Sequence, residues 1–156
     1  MQINKKIINL FKNNNENLVL NKVAKTNAEF ELVLNVKAIN CQKNIDINFT
    51  HEQNSKIIIK INCISSKNGS IKINVLNNVE KNIKKCFIDQ QINGLILTNN
   101  SSIHVEPKMF IKNNKIIASH AVNIGRINLD KMFYLLSRNI PYEKAVNMLK
   151  KEIFSF

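Results

Sequence analysis

From Leu18 to Ile117 the chain is a succession of short runs in which apolar residues alternate with Lys or Asn. Side chains of a strand point to opposite faces in turn, so Ile57-Ile58-Ile59-Lys60-Ile61 and Ile71-Lys72-Ile73-Asn74-Val75 each give one face to a core and one to solvent. The runs read as strands over Leu18–Val23, Phe30–Ile39, Ile45–Phe49, Lys56–Asn62, Ile71–Leu76, Lys84–Ile88, Gly94–Thr98, Lys108–Ile111 and Ile116–Ala118. They recur about every 10 to 13 residues, and their turns carry Asn, Ser and Lys with almost no Pro. Evenly spaced short strands suit a sandwich, a barrel or a coiling solenoid, and spacing does not choose among them. No clean internal repeat is visible. Asn-rich corners fit a solenoid, because Asn accepts a left-handed φ and its amide can stack between coils.

The period changes near the C-terminus. After Lys112 to Lys115, a polar turn, come Ile116-Ile117 and then Ser119-His120, and Gly125 marks the bend out of the strand region. Leu129, Met132, Phe133 and Leu136 fall at helical spacing, as do Ala145, Leu149 and Ile153. Asn128 suits the N-cap of the first helix, and Asn139 suits the left-handed residue where that helix stops. Pro141 fits the first turn of the second, where its missing N–H costs nothing. At the other end, Asn4 to Lys12 reads as one short helix in a Lys- and Asn-rich lead.

These C-terminal residues carry a family resemblance. Ser119-His120-Ala121-Val122-Asn123-Ile124-Gly125 resembles the S-H-G-A-T-x-G segment of the SufB/SufD iron–sulfur cluster assembly proteins. Leu129 through Phe133-Tyr134-Leu135-Leu136-Ser137-Arg138-Asn139-Ile140 is similar to their L-x-x-x-x-F-Y-L-x-S-R-G-I, and Glu143 to Phe154 to their last helix. Upstream, Gln91 with Leu95-Ile96-Leu97 and then Pro107-Lys108-Met109-Phe110-Ile111 resembles Q-x-x-x-x-L-L-L…P-x-L-x-I. The resemblance implies a right-handed parallel β-helix followed by a small α-helical part. Three segments are expected: a lead over 1–17, a β-helix core over 18–127 and a helical subdomain over 128–156. Family members are usually several hundred residues long, so this would be a shortened, SufD-like form.

The same resemblance implies function. It points to a non-catalytic scaffold subunit of a SUF-type assembly complex. The C-terminal helices would dock a SufC-type ABC ATPase through Phe133, Tyr134, Ser137, Arg138 and Ile140. The β-helix would pair with a SufB-like subunit or with a second copy, and a transient iron–sulfur cluster would be shared with that partner. His120 is the candidate ligand or proton carrier, because neutral imidazole binds iron and exchanges protons near neutral pH. Ala118 stands where relatives often have cysteine, and the Glu beside the histidine in SufB-like members is absent. A form that keeps the fold without the cluster role is the alternative.

Cys41, Cys63 and Cys86 form no C-x-x-C pair, and each ends an apolar run where a buried free thiol is the plain reading. Their functional alternative, a sulfur-accepting or iron-ligating thiolate, needs exposure and a lowered pKa. His51 beside Glu52 and His104 near Glu106 read as surface neighbours, with no second ligand at metal-site spacing. Helix faces richer in apolar residues than one seam requires are expected to pack partly onto the open end of the β-helix. Arg138 reads either as a charge at a helix C-terminus or as a partner contact.

Composition excludes several classes. With three glycines there is no Gly-rich phosphate cradle, and neither G-x-x-x-x-G-K nor G-x-S-x-G occurs. A net charge of +12 invites a nucleic-acid partner. The lysines are spread along the chain, however, and 6 % aromatic content with no Trp poorly supplies base stacking. A solvated basic surface is the better reading. The 44 % apolar content is globular, no stretch is long enough to span a bilayer, and the start lacks a secretory pattern. A cytoplasmic location without a membrane partner is expected.

Overall fold

A computed structural model describes residues 4–153 of the 156-residue chain. Nine strands come first: β1 (Asn4–Leu10), β2 (Glu16–Ala24), β3 (Glu29–Ile39), β4 (Gln42–His51), β5 (Lys56–Ser66), β6 (Ser70–Val79), β7 (Phe87–Ile96), β8 (Ser102–Ile111) and β9 (Ile117–Arg126). Two helices follow, α1 (Leu129–Ser137) and α2 (Tyr142–Ile153). Odd strands make a five-stranded sheet in the order β1-β3-β5-β7-β9, even strands a four-stranded sheet β2-β4-β6-β8, and every pairing is parallel. The chain therefore winds as a parallel β-helix, each strand lying on the one a full coil earlier.

Alternation decides which residues face inward. Leu32, Leu34 and Val36 of β3 stand over Ile59, Ile61 and Cys63 of β5, and all are buried. Ile45 and Ile47 of β4 meet Ile73 and Val75 of β6 on the opposite wall. Together they form one continuous core between the sheets. Burying such a side chain contributes roughly 1.5–3 kcal/mol, and it is this column of Ile, Leu and Val that closes the coil.

The outward faces are tied by polar ladders. Asn9, Asn35, Asn62, Asn93 and Asn123 share one register line across the five-stranded sheet. Asn62 Nδ2 donates to Asn35 Oδ1 at 3.0 Å, and Asn35 Nδ2 to Asn9 Oδ1 at 2.9 Å. Left-handed backbone occurs at the corners, at Asn27, Asn54 and Lys85 in successive coils, where the Asn54 amide donates to Asn27 at 2.8 Å. Asn is well suited to such positions because its short polar side chain tolerates positive φ. Gly69 serves a different need. A Cβ there would stand 2.2 Å from the Ala38 carbonyl oxygen in the coil before.

Partners one coil apart are separated by 26 residues at first and by 32 later, which is why no fixed repeat shows in the sequence. Three readings of the strand pattern change. The segment expected as a helix from Asn4 to Lys12 contains strand β1, because Ile8 and Leu10 pack inward against the core and the backbone pairs with β3. Lys84 and Lys85 form a corner and not a strand, and Gly94 to Ile96 is the end of β7. Polar Gln90, Gln91 and Asn93 split that strand's apolar signal in two. Finally, Gly125 lies inside β9, whose last residue is Arg126.

The helices form a hairpin with a small core of its own: Ile127, Met132, Ala145, Val146 and Leu149, joined by Leu97 and Ile140. The Asn128 side chain accepts from Lys131 N at 3.0 Å as N-cap, and Asn139 has φ 59°. Pro141 precedes α2 and its carbonyl accepts the first helical bond, from Ala145. Across a groove, Tyr142 and Val146 of α2 face Val36 and Ile64 on the five-stranded sheet. The hairpin thus leans on the side of the coil. The open end that it was expected to cover stays exposed along β9, because the hairpin is short and its apolar seam is filled by Leu97 and Ile127.

Candidate functional site at the open end of the coil

His120 lies in the middle of β9, which is the edge strand of its sheet. One inward-facing column passes from Leu32 through Ile59 to Gln90 and ends at His120. It is apolar in the middle of the coil and polar at its end. Gln90 is fully buried, and neither its Nε2 nor its Oε1 has a hydrogen-bond partner. His120 itself is exposed, with Ala118, Val122 and Ile124 along the same face. Gly94 makes room here, since a Cβ would press Ile103 at 3.1 Å and Ile124 at 3.3 Å. Half-buried Ile103, Val105 and Met109 of β8 complete a half-built core layer. An unfinished layer of this kind, with a buried amide left unsatisfied beneath an imidazole, favours being covered.

The edge is equally unfinished. Ile117 N donates to Cys86 O and Ile127 N to Ile96 O, each at 3.0 Å, so odd-numbered residues of β9 bond to β7. In a parallel ladder the even-numbered ones, including His120 and Val122, then aim both N–H and C=O away from the sheet. Ser119 Oγ donates to Asp89 Oδ1 on β7 at 2.8 Å.

The thiols lie elsewhere. Cys41, Cys63 and Cys86 are free and buried, and burial pushes the Cys63 thiol up to about 12. Ser55 Oγ lies 3.4 Å from Cys86 Sγ, and that thiol donates to Glu52 O at 3.2 Å. Among the described residues no three His, Cys, Asp or Glu side chains converge to hold a metal ion. His120 can therefore supply one ligand, and other ligands would have to come from elsewhere.

The other histidines separate. His104 is exposed and contacts Glu106 at 2.9 Å, while Lys108 beside Glu106, helped by His104, holds that carboxyl down to about 2. His51 is buried, not at the surface as its Glu52 neighbour suggested. Its Nε2 lies 2.8 Å from Asn77 Oδ1 and its Nδ1 3.2 Å from Ser55 Oγ. Burial pushes its pKa down, with the Asn77 bond partly opposing. Sequence reasoning missed this pair because Asn77 stands in the next coil, 26 residues away.

On the hairpin, Phe133, Tyr134, Ser137 and Arg138 are exposed together, while Ile140 is half-buried against the hairpin core. The Arg138 guanidinium lies 5.4 Å from the Tyr134 ring centre, and Ser137 Oγ donates to Tyr134 O at 2.8 Å. Arg138 is also the C-cap of α1. Phe154, at the end of the segment similar to the family's last helix, falls outside the described residues.

Comparison with known proteins gives the lineage. Residues 35–153 match the model of the SUF system FeS cluster assembly SufBD core domain. The chain belongs to the SufBD family. Among curated relatives, it is 29 % identical over 105 residues to an iron–sulfur cluster assembly SufBD family protein, ycf24, of Galdieria sulphuraria, covering 65 % of this chain and 45 % of that protein. It is 27 % identical over 92 residues to the iron–sulfur cluster assembly protein SufD of Bacillus subtilis strain 168, covering 59 % of this chain and 21 % of that one. The chain thus matches less than half the length of these SufBD relatives. No helix among the described residues is long and apolar enough to cross a membrane.

Proposed function

We propose that this SufBD chain is a non-catalytic scaffold subunit in iron–sulfur cluster assembly. It joins a SufB-like subunit or a second copy at the open end, and offers His120 to a cluster formed between the two. Its helical hairpin receives a SufC-type ATPase on the face bearing Phe133, Tyr134 and Arg138. One observation carries the reading: an exposed histidine above an unsatisfied buried glutamine, on a free strand edge. The cluster is cargo here, because one imidazole without a convergent thiolate or carboxylate supplies a single ligand.

An anaerobic pull-down of the chain with the host's SufC-type ATPase and SufB-like protein tests this. Phe133→Ala with Tyr134→Ala should release the ATPase, and His120→Ala should lower iron in the complex without releasing either partner. Capture of neither partner by the wild-type chain would overturn the reading. The second reading, an interaction protein without the cluster role, is favoured by Ala118 in the inward column beside His120 and by the burial of all three thiols. Iron that is indifferent to His120→Ala while both partners bind would select it.

A further inference from the structure

We infer that the groove between α2 and the five-stranded sheet is a binding site for a small amphipathic anion. The apolar body lies against the outer face of the sheet, and the acidic head reaches two lysines at the rim. The groove encloses about 640 Å³, within the roughly 300–1,000 Å³ of small-molecule sites. It is separate from the open end, and the inference does not depend on the scaffold reading.

The groove exists because one row of outward side chains is covered only in part. Lys37, Ile64, Leu95 and Gly125 share a register line on the outer face of the sheet. Leu95, next to Gly125 and the start of the hairpin, is fully buried although alternation points it outward. Ile64, one coil earlier, is half-buried, and Lys37 is exposed. Cover therefore fades along the row, and Tyr142 and Val146 of α2 form the wall above the place where it does. Ile39, Ile64 and Leu97 give the floor its apolar character. Two aromatic rings stand at the rim, Phe11 and Tyr142, 53 % and 50 % exposed. Aliphatic floor and aromatic rim together suit an apolar body. The floor is a sheet face with its main-chain groups already paired between strands, so a peptide would gain nothing here from strand addition.

Charge fixes the other end of the ligand. Lys37 of β3 and Lys67, in the corner after β5, both line the groove. Neither has an ion-pair partner among the described residues. Asn40 N donates to Lys67 O at 2.9 Å, which sets that corner on the end of β3 and puts both cations on the coil side. Glu143, the carboxylate of the groove, belongs to α2 on the other wall. It repels an anionic head and leaves the lysine side as the place for it. Asn35 and Asn62 also border the groove, with their amides tied to each other at 3.0 Å. An anion held between walls is less screened by water than one on an open face, so two unpaired lysines count for more there.

Laurate is the probe, titrated calorimetrically into the full chain below its micellar concentration, with dodecyltrimethylammonium as the cation of matching chain. Laurate should bind one to one and raise the midpoint of urea unfolding, because it binds the folded chain alone. The cation should bind roughly tenfold more weakly or not at all. Lys37→Glu with Lys67→Glu changes only exposed side chains without ion pairs, and circular dichroism confirms its fold. That variant should weaken laurate roughly tenfold or more and favour the cation instead. Ile64→Glu, in the floor, should abolish laurate binding, whereas Phe110→Ser, which removes an exposed apolar side chain on β8, should leave it unchanged. The inference is overturned if laurate does not bind, if both amphiphiles bind equally, or if binding survives the lysine reversal. Loss of binding in Phe110→Ser overturns it too, since that would put the amphiphile elsewhere. Partner capture is not read in this titration, so either reading can fail without the other.

Discussion

The middle coils and the last one are built from the same alternation, yet they spend it differently. In β3 to β6 the central inward positions Leu32, Leu34, Ile45, Ile47, Ile59, Ile61, Ile73 and Val75 are all aliphatic, and Ile59 and Ile73 are fully buried. In β7 and β9 the corresponding column holds Gln90 and His120, the layer has one wall, and Val122 and Ile124 face solvent. Stability therefore resides in the middle, and the end is left open. A residue's register in the coil says little about its role until its coil is known.

Substitutions can break this contrast. The largest effect belongs to Ile59→Ala, which should cost about 2–5 kcal/mol in chemical denaturation. Val122→Ala, at the open end, should change stability by less than about 0.5 kcal/mol. Equal costs at the two sites would mean that the end is as closed as the middle. Gly69→Ala comes next, with an expected loss of about 1–3 kcal/mol, because the obstructing atom is the Ala38 backbone oxygen and cannot swing away.

His51 sharpens the comparison through pH. Its folded pKa lies below the ordinary 6.5, so the unfolded chain binds the proton more readily. Its contribution is complete above about 6.5 and is lost as pH falls from there toward the lowered folded value, by about 1.4 kcal/mol per unit of depression. In His51→Gln this acid-side loss should vanish, leaving the decline at lower pH from Glu31, whose carboxyl is held down chiefly by Lys60. Urea titrations across pH 5 to 7, roughly the range of histidine titration, read the difference. Gln90→Leu removes an unsatisfied buried amide and should be neutral or stabilising by about 1 kcal/mol. The same variant should reduce iron retained with a partner if the amide serves the site.

Much of the fold was legible because local rules agree with the global one. The alternation in Ile71 to Val75, the Asn corners and the caps at Asn128 and Asn139 are all decided within a few residues. What was illegible depends on neighbours a coil away. Ile7, Ile8 and Leu10 look helical until β3 lies beside them, and His51 looks exposed until Asn77 reaches it. His120 and its motif could be picked out from sequence, whereas its place at an edge could not, since an edge is defined by the strand that is not there. The groove beside α2 was hidden as well. Lys37 and Lys67 read as scattered charge until the hairpin stands over the sheet.

The winding of the chain also sets an order in time. Each strand finds its partner 26 to 32 residues back, so a coil can settle as soon as the next is synthesised, without waiting for the far terminus. During that growth every odd strand is, for a while, the front on which the next will lie. β9 is the front at which growth stops, because the chain turns into α1 instead of another coil. The surface a partner would meet is thus a template of the kind each earlier coil used, with no strand among the described residues lying on its outer edge.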